Sequence, residues 1–377
     1  MAAAADVIVL GAGMAGASLA ATLAPTRRVV LLELEEQPGL HATGRSAAMF
    51  FESYGNATVR ALTRASRAFF EAPPPGFADA PLLSPRAALF VADASRLPAL
   101  DALLETHAQT TSFVQLDADE AMQHCPILRP DWIAGGLLDE SGHDMDVAAI
   151  HLGYLRLGRH SGMRLVTGAG ASTIERVAGG WRVRTQAGDF VAPVVVNATG
   201  AWADRVAQAA GVRPIGLAPL RRTAVLLPAP AGHDVTRWPM VIDAEEEFYF
   251  KPDAGKLLLS PANEDLMEPC DAMPDDIDVA IAVDRFEQAT TMQVTRVGHS
   301  WAGLRSFVAD RSPVAGYAPD AAGFFWLAGQ GGYGIQMAPA LARAAAALLD
   351  GAALPDDVAV QGVTAEALAP GRLLESH

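Results

Sequence analysis

The sequence predicts an α/β protein in which a Rossmann-like domain with a three-stranded β-meander is joined to an α+β domain with a mixed or antiparallel sheet. Three observations predict this fold class. Residues 6–33 contain a strand, a glycine-rich turn, a helix and a second strand, residues 173–192 contain three short strands separated by turn residues, and residues 215–310 are rich in strands. The 377 residues suffice for two domains, since domains commonly span about 100–200 residues.

The N-terminal unit is the clearest local pattern. Asp6–Leu10 is a β-branched run of the kind found in central strands of parallel sheets. A turn with three glycines follows, and the small residues Ala17–Ala24 then favour a helix that Pro25 ends. Arg28–Glu33 is a second apolar run, so the unit is strand, helix and strand within about 30 residues, as in dinucleotide-binding folds.

Hydrophobic periodicity and turn residues predict the remaining elements. Helices are predicted at 56–70, 97–105, 117–124, 147–159, 275–289 and 335–349. Strands are predicted at 88–91, 164–168, 173–177, 181–185, 190–192, 194–197, 222–227, 241–243, 247–251, 256–260 and 324–328. We assign residues 1–85, 150–215 and 310–377 to the Rossmann-like domain and residues 86–149 and 216–309 to the second domain.

The composition excludes several classes of function. The net charge of −15 repels phosphate backbones and anionic lipids, which argues against a nucleic-acid or membrane-surface role. Cys125 and Cys270 have no CxxC spacing, so we predict neither a metal site nor a disulfide framework. The start has no basic segment before its apolar run, and no apolar run approaches the ~20 residues that span a bilayer, so we expect a cytoplasmic protein with no integral membrane segment.

The glycine turn predicts a phosphate-binding site. Gly11 permits a tight turn, Gly13 lets the backbone approach a pyrophosphate, and Gly16 lets the helix pack closely on the strand. The first helical N–H groups offer partial positive charge to the phosphates. Glu33, at the end of the second strand, is placed to accept hydrogen bonds from a ribose.

This pattern alone does not choose between NAD and FAD. Three features favour FAD: the position at the extreme N-terminus, the loop Thr43–Ser46, in which Arg45 and Ser46 could contact a pyrophosphate, and two distant strands that end in glycine. Those strand ends, Asn197–Gly200 and Leu327–Gly332, suggest a long cofactor held by three separated segments.

Four segments resemble a known family: the N-terminal glycine turn, the loop around Ser46, the Asn-Ala-Thr-Gly strand end and the C-terminal run Gly329–Gln336. Together they resemble the D-amino-acid oxidase superfamily of FAD-dependent amine oxidoreductases. Within it the chain is most similar to bacterial D-arginine dehydrogenases, through stretches such as Phe248–Gly255 and Trp301–Asp310.

The resemblance implies non-covalently bound FAD, since no cysteine lies near Gly329–Gln336 to form a flavin bond, and it implies a monomer. The predicted cofactor-binding residues are Gly11, Gly13, Ala15, Gly16, Glu33, Leu34, Ala42, Thr43, Gly44, Arg45, Ser46, Ala47, Ala48, Ala171, Ala198, Thr199, Gly200, Gly331, Gly332, Tyr333, Gly334, Ile335 and Gln336. The helix starting near Ile335 would direct its positive end at the flavin.

Substrate residues follow from the chemistry of a carboxylate and from the family. Arg222 and Arg305 would each hold the substrate carboxylate with parallel hydrogen bonds. Neighbouring residues of a strand face opposite ways, so one of Arg221 and Arg222 should face solvent, and the resemblance to the family selects Arg222 as the substrate residue. Tyr249 and Tyr54 would hydrogen-bond the carboxylate and exclude water. The remaining predicted site residues are Gly332, where the backbone would approach flavin and substrate, and Met49, Ala88 and Tyr333 in the substrate pocket.

The resemblance implies oxidation of an amino acid by hydride transfer from Cα–H to flavin N5, after which the imino acid hydrolyses to a 2-oxo acid and ammonia. The D-arginine enzymes have a histidine and a glutamate where this chain has Met49 and Ala88, so an unpaired guanidinium would be costly to bury here. We therefore predict a D-amino acid with an apolar side chain. Three alternatives remain: an N-methyl amino acid, a 2-hydroxy acid, or a non-catalytic flavin-binding protein. The electron acceptor, a quinone or O2, also remains open.

Overall fold

A computed structural model describes residues 3–107 and 111–374. Within them the strands form four sheets of six, four, nine and three strands. The α-helices are Met14–Leu23, Ala57–Glu71, Leu97–His107, Ala118–His124, Val147–His160, Ala203–Ala209, Asp276–Ala289, Ala338–Leu349, Asp356–Ala359 and Ala365–Leu368, and Gly200–Trp202 and Pro370–Leu373 are 3-10 turns.

The six-stranded sheet is the parallel core that the N-terminal pattern predicts. Five strands are parallel and the last edge strand is antiparallel to its neighbour. In spatial order the strands are Arg164–Val166, Val29–Leu32, Val7–Leu10, Val194–Asn197, Phe324–Ala328 and Val314–Tyr317. The ends of three of these strands, at Leu10, Asn197 and Ala328, therefore meet along one edge, as expected of a ligand-binding edge in an open α/β sheet.

Both faces of this sheet are buried, which explains its continuous apolar strands. Val7 and Val9 pack into the cluster that includes the helix Met14–Leu23, whereas Ile8 and Leu10 pack into a second cluster with the meander. Alternation of side chains along a strand sends successive residues to opposite layers. The meander sheet consists of Ala3–Ala4, Gly188–Ala192, Gly180–Thr185 and Ala171–Val177 in spatial order.

The nine-stranded sheet supplies the other wall of the site. Its order is Asp265–Leu266, Ala218–Pro228, Lys256–Ser260, Tyr249–Asp253, Met240–Asp243, Ala88–Ala92, Gly135–Asp139 and Val114–Leu116, and His299–Phe307 also pairs with Ala218–Pro228. Leu89 and Val91 face one apolar cluster, and Phe90, Ile242 and Tyr249 face another, which also contains Met49. The second cluster is the face turned toward the site.

A small sheet of Met49–Phe50, His143–Met145 and Leu83–Pro85 closes one end of this face. The sequence did not predict its short strands, nor the strands Val114–Leu116, Gly135–Asp139, Asp265–Leu266, His299–Phe307 and Val314–Tyr317. The other predicted helices and strands are present, with ends shifted by a few residues. Of the helices in residues 3–107 and 111–374, none combines the length and the apolar character that crossing a membrane requires.

Candidate active site

The N-terminal glycine turn has the close approaches that its spacing predicts. Gly11 has φ +91°, and a Cβ there would lie 2.5 Å from the carbonyl oxygen of Ala198 at the end of the neighbouring strand. A Cβ on Gly16 would lie 1.9 Å from the carbonyl oxygen of Gly11, so helix and turn are packed too closely for any side chain. Gly13 caps the helix without a side-chain hydrogen bond.

Glu33 and Thr43 hold this turn from the side. The buried carboxylate of Glu33 accepts hydrogen bonds from the N–H groups of Ala12 at 2.7 Å and of Glu35 at 3.0 Å. Thr43 Oγ1 accepts from the N–H of Met14 at 3.0 Å. Each Glu33 oxygen keeps a lone pair that a ribose hydroxyl could use.

A cavity of about 750 Å³ extends from the glycine turn to the two arginines predicted to bind substrate. This volume and its mixed polar and apolar wall suit a cofactor and a small substrate together. Most of the predicted residues line it: Gly11, Gly13, Ala15, Glu33, Leu34, Ala42, Thr43, Arg45, Ser46, Ala47, Ala48, Met49, Tyr54, Ala171, Ala198, Thr199, Gly200, Arg222, Tyr249, Arg305, Gly331, Gly332, Gly334, Ile335 and Gln336.

Two residues predicted to be in the substrate pocket lie behind its wall. Ala88 is fully buried in its strand, where it pairs across the sheet with Met240, and Met240 reaches the cavity instead. Tyr333 turns its ring into the protein, 4.8 Å from the ring of Tyr54 and 6.1 Å from that of Phe307. Ala88 and Tyr333 therefore do not line this cavity and instead contact residues around it.

Two predicted cofactor residues, Gly16 and Gly44, have packing roles. A Cβ on Gly44 would lie 2.7 Å from the carbonyl oxygen of Gly39, so glycine there lets the loop fold back on itself. Neither glycine lines the cavity, because each is taken up by contact with neighbouring backbone.

Arg45 lines the cavity, but its charge is already paired. Its guanidinium donates to the carbonyls of Ala272 at 2.9 Å and Ala302 at 3.0 Å and forms an ion pair with Asp271. The adjacent Ser46 donates its hydroxyl to the carbonyl of Thr43 at 3.1 Å. The sequence pattern predicted that both side chains would donate to a pyrophosphate. In this structure they instead hydrogen-bond protein groups and hold the loop in place.

The C-terminal glycine run carries buried amide donors with no partner in the described part of the chain. Gln336 accepts a hydrogen bond from the N–H of Phe51 at 3.0 Å, while its Nε2 group has no acceptor. The Nε2 group of Gln330 is also buried without an acceptor, and both residues line the cavity. Buried donors are almost always satisfied, so these two fit a ligand rich in acceptor atoms, such as the flavin ring of FAD.

The helix that follows this run begins later than predicted. It spans Ala338–Leu349, and Ile335 lies in the turn before it. Pro339 occupies the first turn, where the missing N–H of proline has no cost. The predicted helix start at Ile335 was therefore wrong by three residues, and the positive end of the helix lies behind Gln336.

Arg305 provides an enclosed positive charge. Its Nη1 group lies 3.4 Å from the hydroxyl of Tyr54, and no carboxylate of the described residues lies within 4.0 Å of its guanidinium. Burial opposes the charge, but the nearby hydroxyls of Tyr54 and Tyr249 favour it, so its pKa lies above the ordinary value. A Cβ on Gly332 would lie 2.8 Å from Nη1, so a side chain there would displace the guanidinium.

Arg222 is the second guanidinium, and it is partly paired. Its Nε donates to the carbonyl of Asn263 at 2.9 Å and its Nη2 to Glu264 at 3.1 Å. Arg221, predicted to face solvent, is instead mostly buried among carboxylates, with its Nε 3.0 Å from Asp278. Side chains alternate along the strand as expected, but both faces of this strand are covered.

Tyr249 and Tyr54 lie beside the two arginines. Burial raises the pKa of Tyr249, but the positive charges of Arg305 and Arg222 outweigh burial and lower it below the ordinary value. For Tyr54 burial outweighs the charge of Arg305, and its pKa lies above the ordinary value.

Glu246 lines the cavity without having been predicted from the sequence. It lies in the turn between two strands with φ +56° and makes no side-chain hydrogen bond or ion pair among the described residues. Burial raises its pKa, against the opposing effect of Arg222 and Arg305. The run Glu245–Glu247 has the appearance of an exposed acidic turn, so the sequence gives no signal that one of its carboxylates faces the site.

Comparisons with known proteins agree with this geometry. The family model described as FAD dependent oxidoreductase matches residues 6–348. The FAD-dependent oxidoreductase domain-containing protein 1 of Bos taurus is 25% identical over 179 residues, which cover 41% of this chain and 35% of that protein. The chain therefore spans about a third of the length of this curated relative.

Solved structures share the fold. Glycine oxidase from Geobacillus kaustophilus has a TM-score of 0.82 at 20% identity, with 96% of this chain and 99% of that chain covered. L-proline dehydrogenase from P. horikoshii has a TM-score of 0.80 at 20% identity, with 94% and 96% covered. At identities this low, the likeness establishes a shared fold.

Proposed function

The chain belongs to the FAD dependent oxidoreductase family and uses FAD, and from this premise we propose that it oxidises D-amino acids with apolar side chains. The products would be an imino acid, which hydrolyses in water, and then a 2-oxo acid and ammonia. When bound, FAD supplies the acceptor for the hydride that leaves the substrate Cα.

The observation that carries the proposal is the enclosed, unpaired guanidinium of Arg305. A buried positive charge without a counter-ion is costly, and a substrate carboxylate is the natural group to neutralise it. Arg222, on the paired strand, adds donors from the same side of the cavity. Two guanidinium groups in one cavity suit a carboxylate-bearing substrate.

An apolar substrate side chain is supported by a group of apolar residues that line the cavity. These are Met49, Phe51, Met240 and Ile242, and all four are largely buried. A cationic side chain placed against these residues would lose its hydration without gaining a partner.

The protein's own residues would bind and orient the substrate. Arg305 and Arg222 would fix the carboxylate, and the rings of Tyr54 and Tyr249 would exclude water from the space beside it. The substrate amine must lose a proton before hydride can leave, so activity should rise with pH through the pKa of that amine.

The test is an anaerobic substrate panel on purified protein saturated with FAD. Both enantiomers of apolar, cationic and acidic amino acids would be mixed with the enzyme, and bleaching of the flavin absorbance would be followed. Preferential bleaching by apolar D-amino acids supports the proposal. Bleaching only by L-amino acids, N-methyl amino acids or 2-hydroxy acids would replace it with that alternative, and no bleaching would favour a non-catalytic flavin-binding protein.

A further inference from the structure

Arg222, Glu264 and Arg311 form a chain of ion pairs in which Glu264 contacts both arginines. Glu264 accepts from Arg222 Nη2 at 3.1 Å through Oε1. The same carboxylate accepts two hydrogen bonds from Arg311, at 2.8 Å to Oε1 and 3.0 Å to Oε2. Glu264 is thus shared between one arginine that lines the cavity and one that lies outside its lining.

These contacts occupy one edge of the Arg222 guanidinium. Nε and one hydrogen of Nη2 lie along the same side of the planar group, and Asn263 and Glu264 take both. Only Nη1 and the second hydrogen of Nη2 remain, and they form the outer end of the fork. A carboxylate in the cavity can therefore meet Arg222 from one direction.

Glu264 is itself held in place by Arg311. The Arg311 guanidinium lies 3.7 Å from the ring centroid of Phe307, and its backbone has φ +57°, a left-handed conformation that is unusual for arginine. The orientation of Glu264 is therefore tied, through Arg311, to Phe307 at the end of the strand that carries Arg305.

We propose that Glu264 is a positioning residue that fixes the direction from which Arg222 meets the substrate carboxylate. The inference rests on the proposed function in that it assumes a carboxylate ligand, but it does not depend on which amino acid is oxidised. The negative charge of Glu264 also partly neutralises Arg222, which weakens the attraction of Arg222 for a substrate carboxylate. Glu264 therefore improves the orientation of the substrate at some cost in binding strength.

Replacing Glu264 with glutamine separates these two effects. Glu264→Gln keeps the size of the side chain, removes its charge and cannot satisfy both arginines in the same way. A carboxylate should bind with equal or lower Kd, because Arg222 is less neutralised, yet it should bind with a changed orientation. Misplacement by about 1 Å can cost about a hundredfold in rate, so we expect the flavin reduction rate at saturating substrate to fall about tenfold or more.

Orientation can be observed without turnover by using 2-aminobenzoate. An electron-rich ring stacked on oxidised flavin produces long-wavelength charge-transfer absorbance, whose amplitude at saturation depends on how the carboxylate aligns the ring. We expect Glu264→Gln to bind 2-aminobenzoate without loss of affinity and with a clearly smaller band. Glu268→Gln is the matched control, because Glu268 pairs with Arg205 at an exposed position on the same segment, and it should match the wild type in both Kd and amplitude.

Arg311→Met provides an independent variant, since it releases Glu264 without changing it. It should reduce the band and the rate in the same direction, and the double variant should show little further loss. An unchanged band and rate in either folded variant would overturn the proposal, and so would a loss of affinity with an unchanged saturated band. If Glu264→Gln fails to fold, Arg311→Met and Glu264→Asp decide. If the wild type binds 2-aminobenzoate but oxidises no amino acid, the proposed function fails while this test still stands.

Discussion

Replacement of Arg305 by methionine tests the carboxylate site directly. Arg305 contacts the hydroxyl of Tyr54 at 3.4 Å and has no carboxylate partner among the described residues, so its charge remains unpaired until an anionic ligand binds. Methionine has a similar unbranched stem and no charge. The variant removes the predicted contact with the substrate, and in the free protein it removes no ion pair with a described residue.

The magnitude follows from the strength of charge-assisted hydrogen bonds. A hydrogen bond to a charged group contributes about 1.5–3 kcal/mol, and about 1.4 kcal/mol corresponds to a factor of ten. The Kd of a carboxylate ligand should therefore rise roughly 10- to 150-fold. Because Arg305→Met also removes a half-buried charge that has no carboxylate partner, the Tm of the FAD-loaded protein should stay the same or increase.

The assay combines titration of the flavin spectrum with a carboxylate ligand and thermal unfolding of the same samples. Arg221→Met is the matched control. Arg221 lies in the strand Ala218–Pro228, opposite Leu304 of the strand that carries Arg305, but its guanidinium pairs with Asp278. Its loss should lower Tm and leave ligand binding unchanged. Unchanged affinity in Arg305→Met would refute the assignment, as would a large drop in Tm that parallels the control.

Three further outcomes are expected. Gly332→Ala should slow flavin reduction about tenfold or more, because the new Cβ would lie 2.8 Å from Arg305 Nη1, and stopped-flow absorbance measures this. Gly16→Ala should release FAD, detected as free flavin fluorescence, because its Cβ would lie 1.9 Å from a carbonyl oxygen of the glycine turn. Burial raises the pKa of Glu264, but the ion pair with Arg311 outweighs burial and holds the pKa below its ordinary value of 4.5. The contribution of Glu264 to stability is therefore present above pH 4.5 and lost as pH falls through the folded-state pKa, so the Tm difference between wild type and Glu264→Gln should shrink below pH 4.5.

Sequence patterns over a few residues predicted the glycine turn, because its geometry depends on neighbouring residues in the chain. The spacing of Gly11, Gly13 and Gly16 after an apolar strand is sufficient, because a turn, a close approach and a helix contact each require glycine within a few residues. The later start of the helix at Ala338 was also available to sequence reasoning, since proline suits the first turn of a helix and Pro339 marks that turn.

Features that depend on contacts between distant segments could not be predicted from the sequence. Strand alternation separates Arg221 from Arg222 but does not reveal that carboxylates of another helix cover the first. Ala88 has the position of a pocket residue in its strand, yet Met240 on the neighbouring strand lines the cavity in its place. Glu246 reaches the site from a turn in which it adopts a left-handed backbone conformation.

The unpaired charge of Arg305 indicates how a ligand would stabilise the protein. In the described part of the chain its guanidinium lines the cavity and has no carboxylate within 4.0 Å. Polar groups that lose hydration without gaining a partner each cost about 1–3 kcal/mol. An anionic ligand that pairs with Arg305 would recover that cost, so ligand binding and fold stability are coupled through this residue.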